Sequence, residues 1–340
     1  MNASDRDVRI ITICLLILTV FATGVVLSEL RAVLVPFVLA LFITMGLAPL
    51  IHVQIVRLQF PRTVAIMTSI SVAMLVLVLA GIITSVTVAG MIQNARQYQQ
   101  QISLFVANAL ESLPLDEWGI DESQLVGLVP AQVGGAVVGV GNAVIDILSN
   151  GILVVVFVIF LLIGRTAAGP RGSTWNEVET RVQRYLGIKF LVSLVTGFSV
   201  GFVLQVLGVP FALMFGLMSF MLNFIPSVGS IVATLLPLPV VMVDPSLSST
   251  TAVLAIVVPG AIQMTMGNFI EPKIYGESLG LHPVVTLMSL VLWGTLWGVV
   301  GMFLAAPLAA IIQIFLGRLE HTRPFAEAMA GRLDPLLGDD

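Results

Sequence analysis

Two short polar stretches in an otherwise apolar chain have residue types able to bind or relay a small species. Glu271-Pro272-Lys273 sets a carboxylate next to an amine, directly after Gln263 and Asn268. A carboxylate there has the chemistry to hold a cation or carry a proton. It equally suits an interfacial ion pair with Lys273 or with a cytoplasmic arginine. Asn223-Phe224-Ile225-Pro226-Ser227-Val228-Gly229 places an amide beside a proline and a glycine. The Asn223 amide supplies donors and an acceptor, for a solute or for the bare end of a broken helix. His282 precedes Pro283 and reads as a hydrogen-bonding hinge residue before a proton carrier. His52 and His321 are the other histidines, and no metal-ligand spacing joins the three. No metal and no cofactor are expected.

Catalytic patterns fare poorly. Gly197-Phe198-Ser199-Val200-Gly201 matches G-x-S-x-G, but that pattern needs a strand-to-helix elbow and a histidine. Here it lies within an apolar run. Gly197 and Gly201 instead form a G-x-x-x-G contact face for a neighbouring helix. Lys189 and Lys273 are the lysines, and neither follows a glycine, so no Walker A loop exists. The chain does not read as an enzyme.

The elements that position these residues are set by composition. The chain is 58% hydrophobic and 10% charged, with a mean hydropathy of +1.06. A soluble domain carries about a quarter charged residues and could not hide this much apolar surface. A bilayer takes the place of water outside such a chain. The net charge of -4, with no Lys/Arg-rich run, excludes nucleic acid as a partner. Cys14, the single cysteine, excludes a disulfide framework. The first apolar run lacks a small-residue cleavage site after it and reads as a retained span.

A spanning helix needs about 20 apolar residues. Candidates are Ile10 to Leu27, Ala32 to Val56, Thr63 to Met91, Ile147 to Ile163, Tyr185 to Leu207, and Thr250 to Gly267, the last interrupted at Pro259-Gly260. Arg6, Arg9, Arg57, Arg62, Arg165, Arg171, Arg181, Arg184, Lys189, Arg318, Arg323 and Arg332 mark cytoplasmic loops and ends. The segment 92–146 has one basic residue, Arg96, against six acidic ones from Glu111 to Asp146. It belongs outside, and both termini come out cytoplasmic. Met91, Ala95, Tyr98, Ile102, Phe105, Ala109 and Leu113 repeat at three- and four-residue steps, the mark of an amphipathic helix.

Two apolar stretches, 210–243 and 283–316, are too long for one span and short for two. As a rod, each would measure about 50 Å against a hydrocarbon layer of about 30 Å. The first breaks at Asn223 to Gly229, with Pro226 and Gly229 inside the break. The second breaks between Trp293 and Gly301, with Gly294, Gly298 and Gly301 as its hinge and packing glycines and Pro283 at its start. Proline removes a backbone donor and glycine loosens a helix. Loop charge sends the first stretch in and out on the outer side and the second on the cytoplasmic side. Broken hairpins from opposite faces are a recurrent transporter design. The expected fold is thus an all-α integral membrane protein of about eight membrane segments, including two broken helical hairpins, plus the outside helical segment. Its regions are 1–91 (three spans), 92–146 (outside), 147–317 (transport core) and 318–340 (cytoplasmic tail).

The motifs also carry a resemblance. Phe215-Gly216-Leu217 through Asn223-Phe224-Ile225-Pro226-Ser227-Val228-Gly229-Ser230 is one carrier. Gly267-Asn268-Phe269-Ile270-Glu271-Pro272-Lys273-Ile274-Tyr275-Gly276 is another, followed by Leu279-Gly280-Leu281-His282-Pro283, Trp293-Gly294 and Ala305-Ala306-Pro307-Leu308. With this layout from about Arg9 to Phe315, the chain resembles the autoinducer-2 exporter family of bacterial permeases. That resemblance implies an inner-membrane protein, a homopentamer, and export of autoinducer-2 or sodium/proton exchange. The expected function is a secondary transporter of a small polar solute, with a monovalent cation/proton antiporter and a non-transporting oligomeric scaffold as alternatives. The expected pathway residues are Asn223, Pro226, Gly229, Gln263, Asn268, Glu271, Pro272, Lys273 and His282.

Overall fold

The computed structural model describes residues 3–93, 151–164, 172–244, 247–275 and 280–332. The outside segment falls beyond them apart from the end of one helix. The helices are α1 Ala3–Glu29, α2 Arg31–Val56, α3 Arg62–Gln93, α4 Gly151–Gly164, α5 Ser173–Val206, α6 Ala212–Leu222, α7 Val228–Leu235, α8 Leu238–Val243 and α9 Ser249–Thr265. A π-turn, Met266–Ile270, follows, then α10 Glu271–Tyr275, α11 Pro283–Leu316 and α12 Arg323–Met329. There is no strand among the described residues.

The distribution of side chains is that of an all-α membrane protein. Large apolar groups such as Phe21, Phe160, Phe198 and Val206 point outward, each 71–72% exposed. Beside buried apolar residues such as Leu204 and Phe215, the interior holds many small and weakly polar ones, among them Ala40, Ser193, Thr196, Ser219, Ala255 and Ala305. In a bilayer, burying leucine gains nothing over lipid, so close backbone approach through small residues holds helices together.

The chain forms two compact units. One comprises Gly46–Ile152 and Thr180–Ser278, the other Met1–Met45, Leu153–Glu179 and Leu279–Asp340.

In the first unit, α5 and α6 meet through glycines. A Cβ on Gly197 would lie 2.7 Å from the Gly216 carbonyl oxygen, and one on Gly201 3.2 Å from the Gly216 Cα. The chain then turns at Asn223 to Ser227 and doubles back. A Cβ on Gly229 would sit 1.7 Å from the Leu222 carbonyl oxygen. The arms α6 and α7 have 11 and 8 residues, about 16 Å and 12 Å long, against about 30 Å of hydrocarbon. Gly229 therefore serves close approach, whereas the positive φ at this tip falls on Ser227 (φ 59, ψ -54). The Val228 N–H donates to the Pro226 carbonyl at 2.6 Å, closing a strained γ-turn on Ser227.

Two span boundaries differ from expectation. Helix α5 begins at Ser173, before Tyr185, because its first turns are amphipathic and a hydropathy reading sees only the apolar remainder. Helix α9 runs unbroken through the buried Pro259, since proline keeps a helical φ and removes one donor only. The irregularity comes later, in the π-turn.

In the second unit, α11 is a hairpin although its residues are helical nearly throughout. The Ser289 Oγ donates to the Ala305 carbonyl at 2.9 Å, across 16 positions. A straight helix would hold those groups about 24 Å apart. The reversal is at Gly298 (φ 65, ψ -145), a conformation essentially confined to glycine. A Cβ on Gly301 would meet the Trp293 carbonyl oxygen at 1.9 Å. Gly294 faces the flexible Met302 side chain at 3.0 Å. At the base, His282 Nδ1 accepts from the Val284 N–H at 3.3 Å and caps the first arm at Pro283. The His282 N–H donates to the Met329 carbonyl at 2.8 Å. Gln313 Nε2 donates to the Gly280 carbonyl at 2.8 Å and the Ala326 carbonyl at 3.3 Å. Residues read as the start of a tail thus form a helix tied to the hairpin base.

Candidate functional site

The polar residues that converge lie in the first unit, where α5, the tip of the α6–α7 hairpin and the start of α10 come together. Along α5, Tyr185, Lys189 and Ser193 fall at four-residue spacing and so share one face. All three are buried. Lys189 Nζ donates to Glu271 Oε1 at 2.7 Å. Asn223 Nδ2 donates to the same oxygen at 3.2 Å and to Ser193 Oγ at 3.0 Å. The amide nitrogen has two hydrogens, and both are used.

The side chains of Lys189 and Glu271 are only 5% and 15% exposed. Taking two charges out of water costs several kcal/mol per ion, and their attraction repays this only with good geometry and further hydrogen bonds. Asn223 supplies one such bond. The carboxylate therefore carries a fixed ammonium counter-charge, and a cation arriving at Glu271 would have to compete with it.

Of the readings open for Glu271 the ion pair is present, with a partner other than its sequence neighbour. Lys273 is exposed, and the partner of Glu271 is Lys189, 82 positions away. By sequence alone Lys189 reads as an orientation charge at the cytoplasmic end of a span. The signal for it was present all the same: one amine inside an apolar run, spaced four residues from a tyrosine and from a serine. An ionisable residue in a span is a site by default.

The other expected residues are spread more widely. Pro226 presets the turn at the hairpin tip and Gly229 allows its closure. Asn268 is exposed on the π-turn, and Pro272 lies in α10. Gln263 is buried on α9. His282, with Pro283, Gly294, Gly298 and Gly301, belongs to the hairpin of the second unit. Among the described residues no cluster of three or more metal-ligating side chains occurs.

An Asn223→Ala substitution removes two donors from this centre. A buried hydrogen bond contributes about 1 kcal/mol net, and leaving a charged partner short of one costs more. The expected result is a loss of transport of at least tenfold, with the assembled protein still recoverable from the membrane. Flux in proteoliposomes beside size-exclusion of the solubilised variant checks it; full activity would place Asn223 outside the pathway.

The family model described as "AI-2E family transporter" matches residues 11–321. The "AI-2 transport protein TqsA" of Escherichia coli is 31% identical over 300 residues, covering 84% of this chain and 85% of its own. A Haemophilus influenzae protein named "Putative transport protein" is 31% identical over 314 residues, covering 86% and 89%. A Borreliella burgdorferi protein of the same name is 27% identical over 260 residues, covering 73% and 70%.

Proposed function

Since the chain belongs to the AI-2E transporter family, we propose that it is a secondary transporter moving a small polar solute, with autoinducer-2 the first solute to test, across a bacterial inner membrane. The observation that carries this reading is the buried Lys189–Glu271–Asn223 centre at the tip of a broken hairpin. Each arm of that hairpin is shorter than the membrane is thick. Non-helical backbone at membrane depth is tolerated where protein or a water-filled cavity covers it, and broken helices frame the binding sites of secondary transporters. The centre is internally neutral, so it suits a solute recognised by hydrogen bonds better than a bare sodium ion. A scaffold would have no use for an ion pair that apolar residues replace at little loss.

The test is flux in proteoliposomes of the purified protein, with autoinducer-2 uptake and sodium-driven proton movement measured side by side. Autoinducer-2 flux without proton movement is the expected outcome. Sodium-dependent proton flux alone would favour exchange, and no flux of either kind would leave the scaffold.

The topology proposed from loop charge has both termini cytoplasmic, the α6–α7 hairpin opening outward and the Pro283–Leu316 hairpin opening inward. In a Cys14→Ala background, single cysteines at Leu247 and at His282 should differ in reaction with an impermeant thiol reagent. Leu247→Cys should label on intact cells and His282→Cys only after permeabilisation. Labelling of both from one side defeats the arrangement. A homopentamer, the assembly that the resemblance implied, is tested by mass measurement of the solubilised protein.

A further inference from the structure

Gln263 is 3% exposed, and among the described residues neither its amide nitrogen nor its amide oxygen has a hydrogen-bond partner. Buried polar groups are almost always satisfied, and each one left unpaired lowers stability. Leaving both ends of an amide unpaired is the opposite of a structural role. An apolar side chain of the same length would fill the space with a gain in stability.

The surroundings of Gln263 indicate what the amide faces. It lies on α9 between Gly260 and Gly267, three and four residues away, so all three share one helical face. That face meets the returning arm of the broken hairpin. A Cβ on Gly260 would touch the Thr234 methyl at 3.3 Å, and one on Gly267 would lie 4.0 Å from Ser230 Oγ. Thr234 spends its own hydroxyl on the Ser230 carbonyl at 2.9 Å. Gln263 also lies eight residues before Glu271, with the π-turn between them. A second orphan, Ser219 Oγ, is fully buried on α6, one turn before Asn223. Both elements lead into the Asn223–Glu271 contact, and each carries an uncharged, unpaired polar group on its approach.

We infer that Gln263 is a solute ligand: its amide binds the hydroxyl or carbonyl groups of the transported molecule, as an uncharged continuation of the Lys189–Glu271–Asn223 centre, with Ser219 as a second contact. The inference rests on the transporter reading for its solute. The amide N–H donates to a hydroxyl or carbonyl oxygen and the amide oxygen accepts from a hydroxyl, whereas the amide offers a simple cation only its oxygen. Unpaired groups kept at a loss of stability are typical of functional sites.

The experiment compares wild type, Gln263→Met and Ser219→Ala as solubilised assemblies, with autoinducer-2 as the probe. Thermal unfolding is followed over a range of probe concentrations. Without probe, Gln263→Met should unfold at the wild-type temperature or above, because methionine needs no partner. With probe, wild type should be stabilised, and the concentration needed for a given shift should rise about tenfold in Gln263→Met, the factor that 1.4 kcal/mol of lost binding gives. Ser219→Ala should show a smaller rise in the same direction. A Gln263→Met protein that unfolds well below wild type without probe overturns the inference, since the amide then had a structural partner. So does an unchanged probe response, or a wild type that the probe does not stabilise. None of these readings uses flux, so a protein that binds the probe at Gln263 and fails to transport it would defeat the transporter reading and leave the ligand in place.

Discussion

Replacing Glu271 by glutamine alone is expected to destabilise the protein severely, by about 3–5 kcal/mol, the range found when one member of a buried ion pair is removed. The ammonium of Lys189 would remain in a place where its side chain is 5% exposed, with an amide in place of its counter-charge. Lys189→Met should do similar harm from the other side, stranding the carboxylate with Asn223 as its donor. The double variant Lys189→Met/Glu271→Gln removes both charges and keeps an acceptor for the Asn223 amide. It should recover most of the lost stability, because a neutral pair has no uncompensated charge to bury. Lys273→Gln, at an exposed position, should change stability by no more than about 0.5 kcal/mol. Thermal unfolding of the four solubilised variants checks this. A double variant as unstable as the worse single would mean that the two residues do not act as a pair. The result also governs how transport is read. Flux lost in Glu271→Gln alone reports damage as readily as chemistry, whereas the double variant separates a solute that needs hydrogen bonds from an ion that needs the carboxylate. A neutral solute should still move through it at a measurable rate, and coupled proton flux should not.

The second large effect is expected at the hairpin tips. Gly229→Ala would put a methyl group 1.7 Å from the Leu222 carbonyl oxygen, and Gly301→Ala would put one 1.9 Å from that of Trp293. These neighbours are backbone, so no rotamer change relieves the contact, and each hairpin must open to admit the carbon. Overpacking typically costs about 1–3 kcal/mol, and more where the obstacle cannot move. Both variants should lose most of their assembled protein. Gly294→Ala is the matched control, because its obstacle is the end of the Met302 side chain at 3.0 Å, which can turn aside. Gly24→Ala, with nothing within 4 Å, should behave as wild type. Yield of monodisperse protein and unfolding temperature are the readouts. A stable, fully assembled Gly229→Ala would mean that the first hairpin is not closed in this way.

These variants also show how far reading along the chain reaches. That 210–243 and 283–316 must be interrupted follows from length against membrane thickness, and the breaks lie where proline and glycine weaken the helix. Which residue takes which part is not visible there. Gly229 and Gly301 are small so that another strand of backbone can pass, while Ser227 and Gly298 take the unusual backbone angles. A glycine in a sequence does not distinguish these two uses. Nor does the second stretch look like a hairpin by its helical content; the hydrogen bond from Ser289 to Ala305 settles the reversal.

What the sequence determined by itself was the solvent and the class of structure. A chain with so few charges and so much apolar surface has to lie in lipid, and in lipid an isolated segment satisfies its backbone only as a helix. The polar residues that such a chain retains were legible as exceptions: Asn223, Gln263 and Glu271 stood out because each is costly at depth. What the tertiary structure alone decided was their company. Glu271 has Lys273 two residues away and Lys189 82 positions away, and the distant amine is the partner. Proximity along a helix turns two residues to different faces, whereas the crossing of α5 with the hairpin tip and α10 brings Lys189, Asn223 and Glu271 to one oxygen atom. Sequence spacing fixes a direction around one helix axis, and the choice of partner is made between axes, where only packing acts.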